Sequence, residues 1–216
     1  MEDPEKRVPD EHRTLTRVSD AASLRALAHP LRQRLYEQLV LFGPLTATEL
    51  AARLDDTPSN CSWHLRKLAE HGYVEESADG ATGRRRPWQA AVRGLTWGDE
   101  DDPEARRAGD SLTRMVVARE LERLSTAWAR LPEDDPGWQE AANATQSMLW
   151  LTPEELAEVN TSVAQVLLAK RGRHEDPTQR PPGSRLCAFL AWGVPTYDLA
   201  DPTPADTPAQ TPAGER

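Results

Sequence analysis

The sequence predicts a mainly α fold carrying one β-hairpin, followed by a helical region with a few short strands, and three observations support it. Between Ser19 and Leu68, apolar residues recur at spacings of three and four and are interrupted by Gly and Pro, which is the pattern of short packed helices. Tyr73–Ser77 and Pro87–Val92 have strand composition and flank a stretch holding Gly80 and Gly83, which reads as a hairpin. Beyond the acidic run at 99–102, helical spacing resumes from Leu112 to Leu131 and again after Pro153.

Taken in order, residues 1–18 are polar and charged, with Pro4 and Pro9, and are expected to be mobile. A helix then runs from Ser19 or Asp20 through Leu24, Leu27 and Ala28 and breaks at His29-Pro30. Pro30 opens a second helix, whose apolar face is Leu31, Leu35, Leu39 and Phe42, and Gly43-Pro44 stop it. Thr46 and Glu49 have the spacing of a capping box, so a third, short helix reaches Leu54. After Asp55-Asp56, Thr57 caps a fourth helix and Pro58 fits its first position. Helix, tight turn and helix make a helix-turn-helix, and a hairpin directly after it makes a wing.

The fourth helix carries the chemistry. Cys61, Leu65 and Leu68 lie on one face, turned toward a core. Off that face stand Ser59, Asn60, Ser62, Trp63, Arg66 and Lys67: small hydrogen-bonding groups, then a ring, then cations. Such a helix suits the major groove of DNA, although an ordinary amphipathic surface helix has the same face. Trp63 has two placements, in the groove or folded against the wing or its own helix, and the size of the ring favours the second. Trp88 is expected to pin the hairpin to the core.

The net charge of −9 disfavours DNA as a partner only when taken as a whole. Residues 1–98 hold 14 acidic and 14 basic side chains, and residues 99–216 hold 21 and 12, so the second half carries all of the excess. Between Gly80 and Gly94 stand Arg84, Arg85, Arg86 and Arg93 with no acid. Arginines at the tip of a wing suit phosphates or the minor groove. A neutral module with a basic spot, joined to an acidic half, is the distribution expected of a DNA reader attached to something that does not touch DNA.

Several classes are excluded or disfavoured. No run of about 18 apolar residues exists to span a membrane, and the first residues have no apolar core of a signal peptide, so a cytoplasmic protein is expected. Cys61 and Cys187 form no CxxC, which indicates neither a disulfide framework nor a zinc site. There is no glycine-rich phosphate loop, HExxH or nucleophile elbow, so neither catalysis nor a cofactor is expected.

Residues 24–32 (LRALAHPLR), 45–51 (LTATELA), 62–68 (SWHLRKL), 72–75 (GYVE) and 83–86 (GRRR), in this order and spacing, resemble the winged-helix transcriptional regulators of the ArsR/SmtB type, over residues 19–93. The resemblance is to the actinobacterial-style branch with a longer C-terminal region, and it implies a dimeric DNA-binding regulator, usually a repressor. Metal-sensing members carry a CxC-type pair in the third helix. Here that helix reads Glu49-Leu50-Ala51-Ala52-Arg53-Leu54, and His12, His29, His64, His71 and His174 are scattered, so no metal is expected. His29 and His64 occupy family motif positions, as structural or phosphate-contacting groups. Thr46 and Thr57, at the helix starts, complete the candidate DNA-binding set.

In the second half, Asp102-Pro103 begin a long helix whose stripe is Leu112, Met115 or Val116, Leu121, Leu124, Trp128 and Leu131, which suits a dimer interface. Its alternative is packing within its own chain. Asp135-Pro136 cap a shorter helix, 147–151 (SMLWL) reads as a strand, Thr152–Glu155 opens a helix to about Arg171, and 185–194 reads as another strand. Trp128, Trp138, Trp150 and Trp192 form a core or, less commonly, line a pocket for a hydrophobic effector. The Pro- and Thr-rich tail is expected to be disordered from about residue 195.

The domains expected are thus a winged helix-turn-helix at 19–98 and a dimerisation and possible effector region at 103–194. The function expected is a homodimeric, sequence-specific regulator, a repressor, on double-stranded DNA bearing an inverted repeat. Ser59, Asn60, Ser62, Trp63 and Arg66 would read bases, while Lys67, Arg84, Arg85 and Arg86 would hold phosphates or the minor groove. The alternatives are a ligand-responsive regulator and a winged-helix protein-interaction module without DNA binding. Three adjacent cations weigh against the last.

Overall fold

The structure is a computed structural model and describes residues 16–78, 86–92, 94–98, 101–170 and 172–196. The expectations for residues 1–15, for the wing tip with Arg84 and Arg85, and for the tail from 197 fall outside them.

The first half is a bundle of four short helices, closed by a small hairpin and by the start of a long fifth helix. Asp20 accepts from the Ser23 amide at 2.8 Å and so begins α1 (Ala21–Leu27). His29 accepts from the Leu31 amide, and Pro30 opens α2 (Pro30–Phe42). Both halves of the Thr46/Glu49 capping box form, so two of the amides orphaned at the start of α3 (Ala47–Leu54) find partners. Asp55 takes a left-handed φ of 55°, a conformation that a short carboxylate side chain tolerates, and this tightens the turn into α4 (Pro58–Ala69). Thr57 caps α4 through the Asn60 amide at 3.2 Å.

Gly72, at φ 71°, turns the chain out of α4 into β2 (Val74–Glu76), which pairs antiparallel with β3 (Trp88–Ala90), Glu75 facing Gln89. Leu45 and Trp88 exchange backbone bonds of 2.9 and 2.8 Å, tying the hairpin to the entrance of α3. Trp88 packs on the core as the sequence suggests. A parallel pair, β1 (Thr16–Arg17) with β4 (Leu95–Thr96), was not legible in the sequence, since two residues are too few to show a period.

Leu24, Leu35, Leu50, Cys61, Leu65, Leu68, Val74 and Leu112 are fully buried at the centre. Each such leucine contributes about 1.5–3 kcal/mol by leaving water. Phe42, expected on the apolar face of α2, is instead 49% exposed beneath the Arg53 guanidinium, because α2 ends there.

The long helix α5 (Pro103–Arg130) extends about 42 Å at 1.5 Å per residue. Its stripe divides. Ala105, Ala108 and Leu112 are buried and Val116 packs partly on the core, whereas Leu121, Leu124 and Trp128 are exposed. Arg123 pairs with Glu37 of α2 at 2.6 Å and with Glu120 at 2.9 Å, which fixes this second half beside the first domain.

A 3-10 turn (Leu131–Glu133), α6 (Pro136–Ala141), α7 (Pro153–Leu168), the single turn α8 (Gly172–Glu175) and a second 3-10 turn (Pro177–Gln179) follow. A capping box at Thr152/Glu155 starts α7, which ends at Leu168 and not near Arg171. Asp135 stands at the start of α6 but makes no side-chain cap bond, because its carboxylate is engaged by Arg185. Two strand expectations are corrected. Residues 147–151 and 185–194 form no strand, since among the described residues no strand pairs with either segment, and a strand alone satisfies none of its own amides. The tryptophans are not a core either: Trp150 is 82% exposed, Trp128 and Trp192 are also exposed, and Trp138 is half-buried beneath Arg185. Among the described residues none beyond Leu112 is buried.

Candidate nucleic-acid interface

The outer face of α4 is held rigidly from behind. Cys61, Leu65 and Leu68 are fully buried, so the helix cannot roll without opening the core. Burial also pushes the Cys61 thiol up, which leaves it an inert core group. Ser59, Asn60, Trp63 and Arg66 are exposed, and Ser62 and Lys67 are half-buried on the same outward side.

Asn60 donates its amide to Asp56 Oδ1 at 2.9 Å, and Asp56 also accepts from the Thr57 amide at 2.6 Å. These bonds, Asn60 first, hold the Asp56 carboxyl below the usual carboxylate range. Asp56 is the residue that sequence reasoning missed. In sequence it reads as a turn former, although an acid four residues before an asparagine, across a helix start, is the available signal. Lys67 pairs with Glu70 at 2.8 Å, and both side chains are well exposed, so this pair is weak and free to open.

Trp63 is 48% exposed, edge-on to His64 at 4.7 Å and with Lys67 Nζ at 5.9 Å from its ring centre. Much of the ring therefore stays open, against the expectation that it folds away. His64 is only 6% exposed and lies against His29, ring centres 4.4 Å apart. Its place is behind the face, so it positions the helix and is not available to touch DNA. Its Nδ1 has no partner among the described residues, and burial pushes both imidazoles below the ordinary histidine value, helped by Arg32. Thr46 is half-buried in its capping box and Thr57 is exposed at the cap of α4.

Of the wing arginines only Arg86 is described. Its neighbourhood holds no acid in sequence, yet it pairs with Glu76 across the hairpin at 2.7 Å. The Glu76 bond and charge push its guanidinium further up. The hairpin sets Glu76 opposite Trp88, which brings Arg86, two residues before Trp88, diagonally within reach of Glu76, and a sequence window does not show this. Across the described residues no group of three or more His, Cys, Asp or Glu is placed to hold a metal ion, and no helix is long and apolar enough to cross a membrane.

A core-anchored helix with a polar, cation-bearing outer face, next to a hairpin, defines the class: a winged helix-turn-helix protein of the DNA-binding regulator kind. Residues 27–76 match the family model described as a helix-turn-helix domain, and the solved structures similar to the chain include ones described as regulators of the ArsR type. A solved structure described as a possible transcriptional regulator for arsenical resistance is 30% identical, over 49% of this chain and 94% of that one, with a TM-score of 0.29. The homodimeric winged helix-turn-helix DNA-binding domain of Mb0332 from Mycobacterium bovis, described as a possible ArsR-family transcriptional regulator, is 22% identical over 46% of this chain and 78% of that one, with a TM-score of 0.31. A mutant of MepR from S. aureus, bound to an oligodeoxyribonucleotide, is 15% identical over 68% and 77%, with a TM-score of 0.25. No curated protein matches the chain.

Proposed function

We propose that the chain is a homodimeric, sequence-specific repressor that lays α4 in the major groove and the wing along the backbone. The observation that carries this reading is the outer face of α4, where Ser59, Asn60, Trp63 and Arg66 stand exposed on a helix locked by three fully buried side chains. Asn60 suits adenine and Arg66 suits guanine, each through two hydrogen bonds. The exposed Arg66 side chain makes no hydrogen bond or ion pair with another described residue and is free to reach a base, whereas Asn60 must first leave Asp56. Ser59 and Ser62 add smaller contacts. Lys67, Arg84, Arg85 and Arg86 supply charge to phosphates, and Thr46 and Thr57 stand where helix starts approach the backbone. The exposed half of α5 offers Leu121, Leu124 and Trp128 to a second copy, and two copies related by a twofold would meet an inverted repeat about one helical turn apart.

The test is selection of a binding sequence from random duplexes, followed by affinity measurements across a salt series. An inverted repeat should be selected, and sedimentation should show a dimer on it. Arg66→Ala or Asn60→Ala should cost about 1–3 kcal/mol on that repeat and relax the preference at one base pair. Arg86→Ala should weaken all sequences alike and reduce the slope of log K against log salt by about one unit. Failure of the chain to bind any duplex would return the protein-interaction alternative.

The effector alternative rests on a groove lined by Val163, Leu167, Trp192 and Val194, with a volume of ≈ 270 Å³. Small-molecule sites are enclosed and hold roughly 300–1,000 Å³, so this open groove does not favour that reading.

A further inference from the structure

The described residues beyond α5 cover almost none of their own apolar surface. Met148 and Leu149 are 65% and 66% exposed, Trp150 82%, Val166 71% and Phe189 72%. Residues 142–152 and 186–196 contain no charged side chain, although the half to which they belong carries all of the net negative charge. This is not a loose strand of chain. Asn160 of α7 donates to the Gly193 carbonyl at 3.2 Å, and a Cβ at position 193 would come within 2.4 Å of Asn160 Oδ1. Arg185 forks onto Asp134 at 2.7 Å and Asp135 at 3.2 Å and lies over the Trp138 ring. These contacts join α7 and the 185–194 segment into one arm and fasten it at the end of α5. The apolar side chains of the arm and the Leu121, Leu124, Trp128 face of α5 then remain open together.

From this we infer that the arm, residues 142–196, packs on the exposed half of α5 in a second copy of the chain, and reciprocally. Three features select a second copy as the occupant. Trp128, Trp150, Phe189 and Trp192 alone leave on the order of 500 Å² open at about 200 Å² per ring, more than half of the ~800 Å² per partner that a stable interface buries. The uncharged apolar surface offers nothing to nucleic acid or to an anionic membrane. Finally, the arm and the α5 face belong to the same chain and neither is covered by it, so a twofold axis satisfies both at once and closes the assembly. The inference rests on the proposed dimer and adds which surfaces build it.

The experiment uses the full chain in sedimentation equilibrium, with two variants altered only at exposed positions: Trp150→Ser/Phe189→Ser in the arm and Leu121→Ser/Leu124→Ser on α5. Circular dichroism checks that both keep the parent's helix content. Each variant alone should raise the dimer dissociation constant at least 100-fold. Mixed in equal amounts, they should form a heterodimer tighter than either homodimer, because it alone retains one intact arm against one intact face. If the variants dimerise as tightly as the parent, or if mixing gives no heterodimer preference, the arm does not pack across copies and the inference falls, while DNA binding by the parent dimer stands. A parent that is monomeric both free and on DNA would instead overturn the dimer reading itself.

Discussion

His64 and His29 form a tilted ring pair, centres 4.4 Å apart, behind the outer face of α4, and at the residue scale they make the fold's stability depend on pH. Burial, with the neighbouring imidazole and Arg32, holds the His64 ring below the ordinary histidine value of 6.5, and burial with Arg32 does the same for His29. At pH values above 6.5 both rings are neutral whether folded or unfolded, so nothing is lost there. As the pH falls below 6.5, the unfolded chain takes up protons that the fold refuses, and stability declines down through the lowered folded values. Asp20 and Asp56 are also held low, by hydrogen bonds from Ser23 and Asn60, and their stabilisation is lost only as the pH falls below the ordinary carboxylate value of 3.8. Urea titrations should therefore show a first decline beginning near neutrality, and His64→Leu should flatten it. An unchanged decline in that variant would assign the effect elsewhere. Gln33 is a second buried polar group, and neither end of its amide has a partner among the described residues. Gln33→Met should raise the unfolding free energy by about 1–3 kcal/mol, the cost of an unpaired buried amide, in the same titration.

At the element scale, local chemistry and long-range packing can be separated. The capping boxes at Thr46/Glu49 and Thr152/Glu155 form as their spacing requires, because each partner lies within one turn of the other. Thr46→Ala should cost about 1 kcal/mol by chemical denaturation, since it orphans the Glu49 amide at the start of α3. The hairpin behaves differently. Its strands have a legible composition, yet the Arg86–Glu76 pair depends on register and left no mark on a sequence window. Both side chains of that pair are well exposed, so it is weak and can open toward a phosphate. Helix α5 shows the same division within one element: its helical period was plain, but which half of the stripe packs on the first domain was not. The reason is physical. Ala105, Ala108 and Leu112 pack into the core of the first domain, while Leu121, Leu124 and Trp128 point away from it and Arg123 of that half reaches α2 through Glu37.

For the molecule as a whole, a neutral half that carries the helix-turn-helix precedes an acidic half. On the proposed reading, the acidic half would repel phosphate and help keep DNA on α4 and the wing. Adding monovalent salt should therefore weaken phosphate contacts and this repulsion together, so the salt slope should understate the number of contacts. Asp56→Ala tests this locally: it removes an anion from the start of α4 and should strengthen binding to random duplexes, as read by titration at low salt. A loss of binding to random DNA in that variant would show that holding Asn60 matters more than the charge.

By itself the sequence determined the four short helices, their caps and turns, the buried face of α4, the hairpin and the helix-turn-helix, because each of these is written in neighbours three or four positions apart or in a motif of fixed spacing. It also specified which polar groups leave the core on α4. Tertiary structure alone decided that His64 sits behind that face, that Asp56 holds Asn60, that Arg86 meets Glu76, and that residues 16–17 and 95–96 pair in parallel. It alone decided, too, that 147–151 and 185–194 find no strand partner and leave their apolar side chains open. Each of these depends on which segments meet after the chain has folded, and strand composition without a partner backbone makes no sheet.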